Sequence, residues 1–166
     1  MKGDIFLKAI SRETCRKIIL LSGHLQDNES FSGKNVIRGL HYQLNPMAQA
    51  KLIRVIKGKI RDVVLDIRKG SPTYGRWKAV DLDSGSKHQL FIPRGFAHGY
   101  SVLSNEAIIL YKCDNYYSPE HERGIALDDP SLSIDWAVDI DSAVISEKDR
   151  NNPLFSEAEN NFEQER

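Results

Sequence analysis

The chain has 166 residues, 40% hydrophobic and 28% charged, with 23 basic against 23 acidic side chains and a formal net charge of zero. That length supports one domain with a substantial core rather than two, and the neutral balance excludes the broad basic surface of a nucleic-acid binder while leaving room for a local basic pocket around a phosphorylated ligand. No apolar run reaches the roughly 18 residues of a membrane span and the N-terminus has no signal-peptide core, and Cys15 and Cys113 form neither a metal spacing nor a disulfide framework, so a reducing cytoplasm is the expected location.

In chain order, Ile5-Phe6-Leu7 reads as strand, and Ser11-Arg12-Glu13-Thr14 can open a short helix. Leu25 to Ser32 is a polar strand or strand edge carrying Gln26 and Asn28. Val36-Ile37-Arg38-Gly39-Leu40-His41-Tyr42-Gln43 alternates as a strand does, which puts His41 and Gln43 on the face of Gly39 and Arg38 on the opposite one. Further strands are expected at Ala50–Ile56, Ile60–Ile67, Trp77–Leu82, His88–Ile92, Tyr100–Leu103, Ala107–Tyr111 and Gly124–Leu127, separated by turns such as Lys57-Gly58-Lys59, Gly70-Ser71-Pro72 and Pro93-Arg94-Gly95. Short strands at about ten-residue spacing with this punctuation predict an all-β antiparallel sandwich or barrel. There is no βαβ rhythm, glycine-rich phosphate loop or fixed repeat. Residues 1–155 are expected to form one domain, and the polar stretch Ser156 to Arg166 a loosely held tail.

Four groups offer chemistry, the first of them the His41 strand taken together with Lys51 ten residues on. An imidazole and an amide on one inward strand face build a pocket, although a single histidine hydrogen-bonded in a β-protein would read the same way. Lys51 lies in an otherwise apolar strand. If it points inward it must find a partner or shift its pKa, and if outward it is an ordinary solvated lysine. Pro93-Arg94-Gly95-Phe96-Ala97-His98-Gly99-Tyr100 makes a tight turn before a second histidine. Tyr111 closes an apolar strand, so its hydroxyl can reach a polar cavity or simply satisfy one hydrogen bond. Ser146-Glu147-Lys148-Asp149 is a helix-cap or turn sequence. The two histidine stretches look like the paired motifs of a cupin barrel. Position 43 is Gln, however, and Leu44 to Ile56 contains no carboxylate, so two imidazoles make a poor zinc or iron site and no metal is expected.

Arg38-Gly39-Leu40-His41-Tyr42-Gln43, Phe91-Ile92-Pro93-Arg94-Gly95-Phe96-Ala97-His98-Gly99, Asp129-Pro130, Ile134-Asp135-Trp136 and Ser146-Glu147-Lys148-Asp149 with Pro153-Leu154 together resemble the dTDP-4-dehydrorhamnose 3,5-epimerase family, in the same order over about residues 2 to 155. The resemblance implies a metal-free cupin jelly roll with one or two short helices, needing no cofactor and working as a homodimer. Such an enzyme epimerises a nucleotide-linked 4-keto-6-deoxyhexose on the way to rhamnose. By similarity His41 matches the base, Asp149 the carboxylate that orients it, Lys51 the cation facing an enolate oxygen, and Tyr111 the acid on the opposite face. His98 matches a residue beside the sugar, and Gln26, Asn28, Arg38 and Tyr117 match contacts to the nucleotide and its diphosphate. The family pattern begins with a further strand and an Asp-x-Arg-Gly turn. Here Lys2-Gly3 stands at that turn, so Lys2 is the expected substitute contact. A single-centre epimerase, a 3,4-ketoisomerase and a non-catalytic nucleotide-sugar binder are the alternatives that these motifs leave open.

Overall fold

The computed structural model describes residues 26–164. The expected strand at Ile5-Phe6-Leu7, the helix start at Ser11, and the residues Lys2, Cys15 and Leu25 lie outside them. Ten strands follow: β1 (Gln26–Gly33), β2 (Val36–Gln43), β3 (Lys51–Lys57), β4 (Lys59–Asp66), β5 (Trp77–Asp83), β6 (Gln89–Ile92), β7 (Phe96–Val102), β8 (Glu106–Cys113), β9 (Glu122–Gly124) and β10 (Val144–Ile145). A 3-10 turn at Ile140–Ser142 and a one-turn helix, α1 (Glu147–Arg150), are the helical pieces among the described residues. No helix among them is long and apolar enough to cross a membrane.

One sheet runs β1-β8-β3-β6 and the other β10-β2-β7-β4-β5, with β9 also on β2. Every pairing is antiparallel except β10 on β2. The two sheets face each other as a cupin-type jelly roll. Strand β7 starts at Phe96, four residues before the Tyr100 that its pattern suggested, because the turn ends at Gly95 and Phe96 already pairs with Asp66. Strand β9 stops at Gly124. The apolar residues after it pack as loop, with Ile125 bonded through its backbone to Leu40.

Two apolar clusters explain why β4 reads as a nearly unbroken hydrophobic run. Ile60 and Val64 point between the sheets and meet Ile53, Val55, Leu90 and Ile109. Val63 and Leu65 point out of the sandwich, where Leu127, Trp136 and Phe162 cover them together with Ile37, Leu40 and Tyr42 of β2. Both faces of this sheet are therefore buried, a pattern that periodicity alone does not separate from a buried helix.

The stretch after Pro153 is polar, as expected, but residues 156–164 are fastened down. Phe162 is buried in the outer cluster. Asn161 exchanges two hydrogen bonds with the backbone of Asn45, the Tyr42 hydroxyl donates to the Glu159 carbonyl at 2.5 Å, and Lys69 and Gln164 are joined backbone to backbone. Local polarity gives no sign of this docking, because one aromatic residue and main-chain groups do the fastening.

Asp66, fully buried at the end of β4, organises the following loop. Its carboxylate accepts from the Arg68 guanidinium at 2.9 and 2.7 Å and from the Ser71 and Thr73 hydroxyls, each at 2.6 Å. Burial opposes its ionisation, but these bonds outweigh burial and hold the carboxyl below its ordinary value of 3.8. A depressed carboxyl contributes stability that is present above the unfolded pKa and is lost as pH falls through the folded one. Denaturant unfolding should therefore show Asp66→Ala less stable by about 2–3 kcal/mol near neutrality. The deficit should shrink below about pH 4; a deficit that is constant down to acid pH would contradict the assignment.

Candidate active site

On the inward face the core turns polar along four strands. Val55 and Ile53 of β3 lead to Lys51, and Ala107 and Ile109 of β8 lead to Tyr111 and Cys113. Tyr100 of β7 leads to His98, and Asp62 of β4 follows Ile60. The change of character opens two adjoining cavities of about 320 and 280 Å³. His41, Lys51, Tyr111, Tyr117 and Glu122 line both and so mark their junction.

A bulge delivers His41. Arg38 pairs with Tyr100 but His41 pairs with His98, so β2 spends one residue more than β7 over this interval. Gly39 makes the bulge feasible, with φ at 116° and a backbone so close to β7 that a Cβ there would sit 2.5 Å from the Gly99 Cα. The parity expectation for Arg38 is thereby corrected. The extra residue lets Arg38 line the smaller cavity alongside His41 and His98, while Ile37 and Leu40 enter the outer core.

Each histidine has its own acid. His41 Nε2 lies 2.6 Å from Asp149 Oδ1, and Gly39 donates its N–H to the other carboxylate oxygen at 3.3 Å. Asp149 sits in α1, whose N-cap Ser146 accepts from the Asp149 amide at 3.1 Å, so the helix turn aims the carboxylate at the bulge. Burial works against the Asp149 anion, but the His41 and Gly39 bonds hold its carboxyl below the usual range. A carboxylate only accepts, so Nε2 of His41 carries the proton and Nδ1 is the basic nitrogen. His98 Nε2 lies 2.8 Å from Asp62 Oδ2. Asp62 is fully buried, and its Oδ1 has no hydrogen-bond partner among the described residues. Burial pushes its carboxyl up, against the pull of His98 and Lys51.

Lys51 is the unusual cation. Its ammonium makes no hydrogen bond or ion pair among the described residues. Burial pushes its pKa down, while Cys113, Asp62 and Glu122 pull it the other way. Burial also raises the Tyr111 phenol, which keeps it protonated at neutral pH. At the mouth, Glu122 accepts from the Tyr117 hydroxyl at 2.6 Å and pairs with Lys148 at 2.5 Å. The bond to Glu122, with some burial, lifts the Tyr117 phenol to about 12. A base with an oriented proton, an unpaired cation and a protonated phenol around one junction can remove, stabilise and return a proton.

The family model described as dTDP-4-dehydrorhamnose 3,5-epimerase matches residues 3–157. The chain is 51% identical over 135 residues to the dTDP-4-dehydrorhamnose 3,5-epimerase of Shigella flexneri, covering 81% of this chain and 74% of that protein. This chain belongs to the dTDP-4-dehydrorhamnose 3,5-epimerase family. Its fold matches the Legionella pneumophila dTDP-6-deoxy-D-glucose-3,5-epimerase in complex with dTDP-4-keto-L-rhamnose, with a TM-score of 0.81, 42% identity and coverage of 93% and 84%. It also matches NovW, a 4-keto-6-deoxy sugar epimerase of Streptomyces spheroides, with a TM-score of 0.83, 34% identity and coverage of 92% and 76%.

Within this epimerase-family scaffold, nine of the ten residues expected at the site lie together. Gln26 and Asn28 line the larger cavity and Arg38 and His98 the smaller. His41, Lys51, Tyr111 and Tyr117 line both, and Asp149 stands behind His41. Lys2 lies outside the described residues. Gln43, at the position where a metal-binding cupin would place a ligand, holds the loop that carries Tyr117. Its amide donates to the Met47 and Tyr116 carbonyls at 2.6 and 3.1 Å and accepts from the Ser118 N–H at 2.7 Å. The sequence patterns do not single out Asp62, Glu122 or Lys148. Asp62 left a usable signal, an acidic residue at an inward position between Ile60 and Val64. Glu122 left none, being one of several charged residues in the run from Glu120 to Arg123.

Proposed function

We propose that this chain epimerises a nucleotide-linked 4-keto-6-deoxyhexose, dTDP-4-dehydro-6-deoxyglucose, at the carbons flanking the ketone, as a step in dTDP-rhamnose biosynthesis. The observation that carries the proposal is the unpaired inward ammonium of Lys51 at the junction where His41 and Tyr111 meet. Nδ1 of His41 takes the proton from the carbon next to the ketone, and the C–H electrons move into the ring and onto the carbonyl oxygen. Asp149 holds the ring and stabilises the imidazolium that results. Lys51 has no ground-state partner among the described residues, so the enolate oxygen meets an uncommitted charge and the attraction grows as the transition state forms. Tyr111 returns a proton from the other face, which inverts the centre. His98, held by Asp62, stands beside the sugar. Arg38 and Lys148 are the cations suited to the diphosphate, with Gln26, Asn28 and Tyr117 toward the nucleotide.

Incubation with dTDP-4-dehydro-6-deoxyglucose and NMR of the product test this directly. Inversion at C3 and C5 is expected. Inversion at one carbon would make the chain a single-centre epimerase, a ketone moved to C3 a ketoisomerase, and tight binding without any change a nucleotide-sugar binder. Turnover should also survive exhaustive chelation. Each imidazole is already engaged by a carboxylate, and no group of three or more His, Cys, Asp or Glu with metal-binding geometry occurs among the described residues. Loss of turnover that a divalent ion restores would contradict this.

A homodimer fits the outer face of the four-stranded sheet. Phe31 and Ile56 stand exposed there, with Ile108 between them on β8. Sedimentation equilibrium tests that assignment. A cytoplasmic location fits the free, buried Cys113 thiol and a nucleotide-linked substrate.

A further inference from the structure

The smaller cavity differs from the larger in one respect that bears on which sugar is accepted. Among the described residues, the larger cavity has no aliphatic side chain in its lining. The smaller has two, Ile53 and Ile109, both only 1% exposed. They occupy neighbouring inward positions, since Ile53 pairs with Tyr111 and Val55 with Ile109. Ile53 lies one inward step along β3 from Lys51, and Ile109 one inward step along β8 from Tyr111. An apolar floor therefore runs under the reacting pair. Tyr100 adds ring carbon to it, because its hydroxyl is occupied by Ser30 and Ser32, at 3.1 Å each.

A 6-deoxyhexose carries one hydrocarbon substituent, the methyl on C5. Every other exocyclic position bears oxygen. We infer that Ile53 and Ile109, with the Tyr100 ring, form the seat for that methyl and so select 6-deoxy over 6-hydroxy sugars and set C5 toward the smaller cavity. This rests on the epimerase assignment above and deepens it. The physical basis is that a 6-hydroxyl set against Ile53 and Ile109 gives up water on a surface whose side chains offer it neither donor nor acceptor.

The test compares two substrates, dTDP-4-dehydro-6-deoxyglucose and its congener that keeps the 6-hydroxyl, by kcat/KM for solvent-deuterium exchange at C3. Exchange at C3 is chosen because a carbanion at C5 could expel a 6-hydroxyl. The wild-type protein should favour the 6-deoxy sugar on the order of 10²-fold, the limit for rejecting an added hydroxyl with hydrocarbon alone. Ile109→Thr should narrow that preference about tenfold relative to Ile109→Val, which has the same shape without the hydroxyl. Thermal melts establish that both variants fold; if they do not, the same pair at Ile53 is compared, and the wild-type ratio stands as a test on its own. Equal exchange of both sugars by the wild type, or equal ratios in the Thr and Val variants, overturns the methyl seat while leaving the epimerase assignment intact. No exchange of either sugar overturns both.

Discussion

His41→Asn is expected to abolish both solvent exchange and epimerisation, a loss on the order of 10²–10⁴-fold in turnover, whereas Tyr111→Phe should retain exchange and lose inverted product. The difference follows from the two faces. In the proposed reaction His41, with Asp149 at 2.6 Å, breaks the C–H bond, and Tyr111 acts only once the carbanion exists. Without its hydroxyl, a proton can be lost and regained on the original side, so deuterium enters while configuration is kept. Asparagine at 41 retains a polar group of similar size near Asp149 but cannot take a proton at neutral pH. NMR of sugar recovered from deuterium oxide measures exchange and inversion in one sample. Loss of exchange in Tyr111→Phe as complete as in His41→Asn would mean that the two residues do not serve opposite faces.

Lys51→Met should lower kcat by about 10²–10³-fold with a smaller change in KM, the signature of an interaction made mainly in the transition state. The same substitution should raise the melting temperature. Burial already disfavours the Lys51 ammonium, and Met keeps the apolar stem out to Cε while removing a charge that has no ion-pair partner among the described residues. Gain in stability with loss of rate is what a residue retained for chemistry produces. Steady-state kinetics and a thermal melt on one preparation decide it. An unchanged kcat with a raised KM would make Lys51 a binding residue, and a lowered melting temperature would mean that it is paired in the folded protein.

The strands were legible from the chain because they rest on local patterns, whereas the roles proposed for His41, Lys51, Tyr111 and Asp149 came through the family resemblance. Alternation placed β2, β3, β4, β5 and β8 to within a residue or two, but it left Lys51 of β3 as either an inward or a solvated lysine, and the cavities of the folded chain are what put it inside. Three features were not legible, each for a physical reason. The side on which Arg38 lies depends on a bulge enabled by the close approach of Gly39 and Gly99, which is a tertiary contact. The docking of residues 156–164 depends on Phe162 and on main-chain bonds, which leave no pattern in a polar stretch. That Asp62 serves His98 depends on the pairing of β4 with β7, again a tertiary contact. Asp149 was named through a family resemblance. No spacing rule would join it to His41 across 108 positions.

If one residue removes the proton and a different residue on the opposite face returns one, each inverted carbon takes its new hydrogen from solvent. A single turnover of the wild-type protein on unlabelled dTDP-4-dehydro-6-deoxyglucose in deuterium oxide, quenched and analysed by NMR, tests it most directly. Tyr111 exchanges its hydroxyl proton with solvent before substrate binds, so every inverted carbon should carry solvent-derived deuterium, at C3 and at C5. Inverted product that keeps the substrate's own hydrogen at those carbons would mean that the abstracted proton is itself returned, and that no second, solvent-exchanged acid takes part.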